Sequence, residues 1–325
     1  MSIKALERHL IPLLPFLKSD NVTEICINRS KEIYVEKKGK FTSYKIEELE
    51  IGFLESFAAL VAEFNNKDFP SPLLSGALPT GERIQFVMSP ACDSDKLICS
   101  IRRHQMRNMT LNDYDERGVF NEIVSNDTSS TTMIDDELKR LYQEKNVLSF
   151  LKLAIQSKKN ILISGGTGTG KTTFLNACLK WMPPHERLIT VEDTREVVVT
   201  QANAAHLLFN EEDERISALK IFKACLRLRP DRIFLSELRG SEVWPYLRAA
   251  NSGHPGSIST VHADTPRGAF TQLVFMMQQA GSTSTDLRIL DYVKSIINVV
   301  IQLKRCSRPD RFMYVSDIYF DGIHT

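Results

Sequence analysis

Gly165-Gly166-Thr167-Gly168-Thr169-Gly170-Lys171-Thr172-Thr173 follows the short apolar run Ile161-Leu162-Ile163-Ser164 and precedes a stretch predicted to be helical from Thr173 to about Trp181. Glycines let backbone N–H groups curl around phosphate oxygens with no Cβ in the way, and a helix starting there adds the positive end of its dipole. The pattern G-x-x-x-x-G-K-[ST] between a strand and a helix is that of a phosphate-binding loop, with Gly166 through Thr173 against the nucleotide. Lys171 supplies a mobile point charge for the outer phosphates. The Thr172 hydroxyl is the expected Mg²⁺ ligand.

Such a loop alone binds nucleotide. Hydrolysis also needs a group to orient water, a second hold on Mg²⁺ and cations for charge developing on the γ-phosphate. Arg232-Ile233-Phe234-Leu235-Ser236-Glu237 reads as an apolar strand ending in a carboxylate, so Glu237 is the candidate to polarise water. No aspartate stands just before it, so Glu237 is also expected to help hold Mg²⁺, together with another acid or through water. Leu188-Ile189-Thr190-Val191-Glu192-Asp193-Thr194 offers acids at the end of a second strand, and ligands gather at the carboxyl ends of parallel strands. Glu192 is expected to serve catalysis and the metal, whereas Asp193 before Thr194 suits a turn cap. In Ser252-Gly253-His254 through Val261-His262-Ala263-Asp264, two histidines sit among small residues that allow backbone to approach phosphate. An imidazole there can sense phosphate by hydrogen bonding. His262 is the candidate catalytic histidine and His254 a candidate nucleotide ligand.

These groups need a scaffold. At 325 residues the chain is long enough for two domains, since single cores stop growing at about 250–300 residues. Forty-one basic and 40 acidic residues give a net charge of +1, and no aromatic-basic strip offers a track for nucleic acid. Cys26, Cys92, Cys99, Cys178, Cys225 and Cys306 form no C-x-x-C pair and have no histidines at ligand spacing, so they read as reduced thiols. The N-terminus lacks the apolar core of a signal peptide, and no apolar run reaches the roughly 18–20 residues that span a bilayer. A cytoplasmic location is expected, with peripheral attachment to a membrane complex left open.

In order along the chain, residues 3–17 have helical spacing interrupted by Pro12 and Pro15. Residues 22–28 and 33–36, with a turn at 38–40, alternate like antiparallel strands, and 49–64 return to a helical period with Leu54, Phe57, Ala58 and Val61 on one face. Further strands are predicted at 83–88 and 97–103, with His104 as a solvated strand end. This makes residues 1–124 an α+β module on a mainly antiparallel sheet. Residues 125–136, including the polar run Ser125 to Thr132, read as a linker. From 137 to 325 the chain reads as α/β. Asp135-Asp136-Glu137 is expected to cap a helix carrying Leu138, Leu141, Leu148, Leu151 and Ile155, and strands are expected at 161–164, 188–192 and 232–236.

Together, the phosphate loop, Val191-Glu192-Asp193-Thr194, Arg229-Pro230-Asp231-Arg232 through Arg239, and Ser252-Gly253-His254 through Ala263 resemble the Walker A, Asp, Walker B and His boxes of secretion traffic ATPases. Asn21 through Asn28, Gly81-Glu82-Arg83-Ile84-Gln85 and Ser100-Ile101-Arg102 resemble the N-terminal domain of the VirB-type ATPases of bacterial type IV secretion systems. The resemblance implies a RecA-like P-loop ATPase domain that hydrolyses ATP with Mg²⁺ to energise pilus biogenesis and export. It implies a homohexameric ring docked at the cytoplasmic face of the inner membrane, in contact with secretion-system components and coupling ATPases. Nucleotide is implied between the two domains of a subunit, with Arg83 and Arg102, or Arg103 in an adjacent register, against its phosphates. Alternatives are the related ATPase of type II secretion or type IV pili, whose tetracysteine zinc module has no counterpart here, and a nucleotide-gated scaffold. Ser236 stands where the family usually has glycine.

Overall fold

The computed structural model describes residues 2–103, 110–121, 129–306 and 312–324. His104 and residues 125–128 of the expected linker lie outside them. At the start, α1 (Ser2–His9) stops before Pro12, a 3₁₀ turn follows over Ile11–Leu13, and α2 (Leu14–Leu17) carries Pro15 in its first turn. Each proline therefore sits where its missing N–H has no helical partner to lose.

Six strands come next: β1 (Val22–Arg29), β2 (Glu32–Lys37), β3 (Lys40–Lys45), then, after α3 (Ile51–Phe64), β4 (Leu73–Ala77), β5 (Arg83–Met88) and β6 (Leu97–Arg102). They form a fully antiparallel sheet in the order β3-β2-β1-β6-β5-β4. Leu54, Phe57, Ala58 and Val61 of α3 share a core with Leu6, Leu13, Ile25, Ile27, Phe86 and Ile101. The other face of β1 and β6 is buried as well, which is why β1 is covered along almost its whole length instead of alternating wet and dry.

A short helix, α4 (Leu111–Glu116), is closed by a capping box between Thr110 and Asp113. Helix α5 (Ser129–Gln143) then runs through most of the segment expected to be a linker, so Asp135, Asp136 and Glu137 lie inside a helix and cap nothing. The single helix expected after them is two. Lys145 adopts φ +56° and Asn146 caps α6 (Val147–Gln156), which leaves Leu148 exposed.

The second sheet comprises β7 (Ile161–Gly165), β8 (Leu188–Glu192), β9 (Ala204–Leu208), β10 (Arg232–Leu235), β11 (Ile258–Val261), β12 (Val299–Arg305) and β13 (Met313–Phe320). Its order is β13-β12-β7-β11-β10-β8-β9, parallel throughout except for the β12–β13 hairpin at one edge. Helices α7 (Lys171–Leu179), α8 (Ala218–Cys225), α9 (Val243–Ala250), α10 (Pro266–Gln279) and α11 (Asp286–Ile296) complete this α/β half.

The two halves share apolar and polar contacts. Val87, Ala91, Cys92 and Ile98 from the β5–β6 hairpin enter the same core as Leu207, Phe209 and Leu235. Arg187, wholly buried, donates to Asn28 Oδ1 at 2.8 Å, Asn203 Oδ1 at 2.5 Å and the Leu228 carbonyl at 2.8 Å. None of the six cysteines is in a disulfide; five are buried, and Cys306, at the end of β12, is half-exposed. Burial pushes the Cys26 thiol up to about 11 and the Cys92 and Cys178 thiols up to about 12. Among the described residues, no helix is long and apolar enough to cross a membrane.

Candidate active site

Strand β7 lies between β11 and β12, so the loop that follows it emerges at the middle of the sheet's carboxyl edge. The loop needs its glycines. A Cβ on Gly165 would sit 2.5 Å from Thr169 Oγ1, and Gly168 and Gly170 adopt φ +67° and +81°. Helix α7 begins at Lys171, two residues earlier than the periodicity indicated, and ends at Leu179. The backbone N–H groups of Lys171 to Thr173 thus fall in its first turn, where they lack intrahelical acceptors.

Lys171 is buried and bends back over the loop. Its Nζ donates to the Gly165 carbonyl at 3.0 Å and the Gly166 carbonyl at 3.3 Å, and lies 3.2 Å from His262 Nδ1. Burial lowers its ammonium from the ordinary lysine value, against the opposing pull of Glu237. Strand β10 delivers Glu237 just past its carboxyl end, and β11 delivers His262 directly after its own. Glu237 Oε1 is 3.7 Å from Lys171 Nζ and 2.8 Å from His262 Nε2, yet it is buried with no aligned hydrogen-bond donor among the described residues. An acceptor left open in this way, beside a phosphate loop, is suited to a water proton. On its other oxygen, Arg239 donates at 2.5 Å and reaches Asp193 at 2.8 Å, pinning the carboxylate in place. Ser236, in the place of the usual glycine, is buried, and its carbonyl accepts from Thr260 Oγ1 at 2.8 Å.

Glu192 ends β8 at the same edge, and its carboxylate is taken up by donors from β8 and the segment that follows it. It is fully buried, and four donors occupy its two oxygens: Thr190 Oγ1 at 2.8 Å, Arg195 Nη1 at 2.7 Å, and the backbone N–H groups of Glu196 at 2.8 Å and Val197 at 2.7 Å. It orders the loop after β8. On that loop Glu196, exposed, accepts from the Thr172 hydroxyl at 3.3 Å. Thr172 and Glu196 are therefore the adjacent oxygen donors able to face a divalent cation, a pairing that the sequence did not single out. Among the described residues no three His, Cys, Asp or Glu side chains converge on a metal position. A Mg²⁺ ion carried by nucleotide phosphates and water needs only such an open, oxygen-donor pair. Asp193 donates nothing here; it accepts from the Thr194 N–H at 2.9 Å, the turn contact its spacing suggested.

Arg83, Arg102 and His254 lie elsewhere. Arg83 and Arg102 are register partners across β5–β6 and line a cleft with Lys67 and Arg227. Arg102 donates to buried Glu24 at 2.9 Å, and with Arg229 it adds to the burial that lowers His254 below the ordinary histidine value. His254 precedes β11 whereas His262 follows it, so about 13 Å of strand separates them. The structure thus does not bring these arginines and His254 to the phosphate loop of their own chain, and does not place the loop between the two halves. Arg103 is not a substitute, because its guanidinium binds the Ser19 and Val22 carbonyls. Instead the neighbouring cations are Arg239 and Arg305, the latter donating to the Gly168 carbonyl at 3.1 Å from the end of β12. Arg239 was findable as the cation two residues past Glu237; nothing in the sequence marks Arg305, which the hairpin brings in from far along the chain.

A RecA-like parallel sheet carrying a phosphate loop, with a carboxylate and a histidine delivered to the same edge by neighbouring strands, defines a P-loop nucleotide-binding protein. A sequence model of the family described as type II/IV secretion system protein matches residues 102–317, and the chain belongs to that family. It is 36% identical to the type IV secretion system protein VirB11 of Bartonella henselae, over 96% of this chain and 92% of the relative. It is 34% identical to the type IV secretion system protein PtlH of Bordetella pertussis, over 97% and 95%. It also matches the crystal structure of the VirB11 ATPase from the Brucella suis type IV secretion system, in complex with sulphate, with a TM-score of 0.92 and 31% identity over 98% of this chain and 95% of that one.

Proposed function

We propose that this chain is the ATP-hydrolysing traffic motor of a bacterial type IV secretion system, a homohexamer at the cytoplasmic face of the inner membrane. The observation that carries the reading is the open, buried Oε1 of Glu237 beside Lys171 and His262 at the mouth of the phosphate loop. In this reading the loop N–H groups and Lys171 cradle the β- and γ-phosphates, the ammonium exchanging loop carbonyls for phosphate oxygens. Glu237, held by Arg239, accepts a hydrogen bond from the attacking water and aligns it with the γ-phosphorus. His262 lines the same space from β11 and reads the γ-phosphate. Bound Mg²⁺, facing Thr172 and Glu196, would neutralise charge on the bridging phosphate oxygens.

Arg83 and Arg102 support the ring. They line a cleft with Lys67 and Arg227 and not the loop of their own chain, and a head-to-tail ring is the assembly in which each chain's basic cleft can meet a neighbour's phosphates. Contacts with inner-membrane components and coupling ATPases belong to the same proposal. The test is turnover with Mg-ATP: the purified chain hydrolyses it, and Lys171→Ala reduces the rate to background. Equal rates in the two proteins overturn the reading.

A further inference from the structure

The acidic loop that faces Thr172 is tied to the first half of the chain through one side chain. Arg195 Nη1 binds Glu192 Oε1 at 2.7 Å while its Nε lies 3.4 Å from Asp93 Oδ1, in the turn between β5 and β6. Asp93 is itself steadied by Lys96 at 2.7 Å. That turn does not float. The Ala91 carbonyl accepts from the Leu208 N–H at 2.8 Å, and Ala91 and Cys92 are in the core shared with Leu207 and Phe209. From the other side, Thr190 bridges Glu192 to His206 Nδ1 at 2.8 Å. Glu192 in turn fixes the N–H groups of Glu196 and Val197, and Glu196 meets Thr172.

We infer that Arg195 is a positioning residue for the proposed ATPase, setting the metal-facing carboxylate of Glu196 according to where the β5–β6 hairpin sits. The inference rests on the nucleotide-binding reading above and adds to it a route by which the antiparallel half reports to the metal side of the site. The physical basis is the burial of Glu192. A carboxylate with no solvent exposure is kept in place by its cation and its backbone donors, and loss of the cation leaves an uncompensated charge that the loop relieves by opening. Once residues 193–197 shift, Glu196 leaves Thr172, while the phosphate-cradling N–H groups and Lys171 are untouched. The effect falls on the metal-dependent part of nucleotide binding alone.

Affinity for a fluorescent, non-hydrolysable ATP analogue, titrated with excess Mg²⁺ and again in EDTA, separates the two parts. In Arg195→Ala the gain in affinity brought by Mg²⁺ falls about tenfold, the scale on which outer-shell partners act on metal sites, while affinity in EDTA stays at the wild-type value. Arg195→Lys, which keeps the charge but not the two-ended reach, recovers part of the gain. Asp93→Asn, which leaves every direct donor to Glu192 in place, shows a smaller loss of the same kind. An unchanged Mg²⁺ gain in Arg195→Ala overturns the inference, as does an equal loss with and without Mg²⁺. A wild-type result for Asp93→Asn overturns the link to the hairpin even if Arg195→Ala does not fold. Failure of the wild-type chain to bind the analogue in either condition is a different result, and refutes the nucleotide reading itself.

Discussion

Glu237 and Glu192 show how two carboxylates one register step apart at neighbouring strand ends come to sit in different surroundings. Glu237 has an open oxygen beside Lys171; Glu192 has none, because its four donors consume it. Glu237→Gln keeps the shape and removes the acceptor charge, so we expect retained ATP-analogue binding and turnover lowered by roughly 100-fold or more, measured by phosphate release. Glu196→Gln is expected to leave nucleotide affinity in EDTA unchanged and to raise the Mg²⁺ concentration needed for half-maximal turnover, read from a Mg²⁺ titration. The placement of the phosphate loop, Glu237 and His262 at one edge of the sheet was legible in the sequence because each stands within two residues of the carboxyl end of a strand. Glu196 was not, since it sits four residues into an irregular loop whose path depends on Glu192 turning inward.

The elements follow the same logic. Strands β1, β2, β5 and β6 and helix α3 stand out in the sequence by the spacing of their apolar residues, while β9 and β11 are short and β12 is covered on both faces over most of its length. Helix α5 begins in a polar run that propensity alone assigns to a linker, yet Leu138 and Leu141 bury it against α6 and the parallel sheet. One element carries a pH dependence. His206 on β9 is driven down to about 4, first by burial and then by Arg195 and Lys96, with Asp93 opposing. A histidine held neutral in the fold is protonated first in the unfolded chain. Its stabilisation is therefore complete above its ordinary value of 6.5 and is lost as the pH falls from there toward 4. Between pH 7 and pH 5 this loss is on the order of 2 kcal/mol. Thermal unfolding at the two pH values should show a smaller acid-induced drop in Tm for His206→Asn than for the wild type; equal drops contradict the assignment.

At the scale of the whole molecule, the antiparallel half packs along the β8–β9 flank of the parallel sheet, with its basic cleft, which takes in Arg227 ahead of β10, towards the amino edge and the phosphate loop at the carboxyl edge. Motifs signal residues but not which edge they reach, so the separation of Arg102 from Lys171 could not be read before the fold. If rings unite the two edges of neighbouring chains, light scattering with Mg²⁺ and an ATP analogue should give a mass near six times 36.9 kDa. A monomer under those conditions removes the ring from the proposal. The thiols hold a practical consequence. Five are buried, while Cys306 is half-exposed one residue beyond Arg305, whose guanidinium rests on the phosphate loop. A maleimide dye added to the unmodified chain should reach that position ahead of the five buried thiols, giving an optical reporter, with no engineered cysteine, beside the loop that the proposed function assigns to nucleotide.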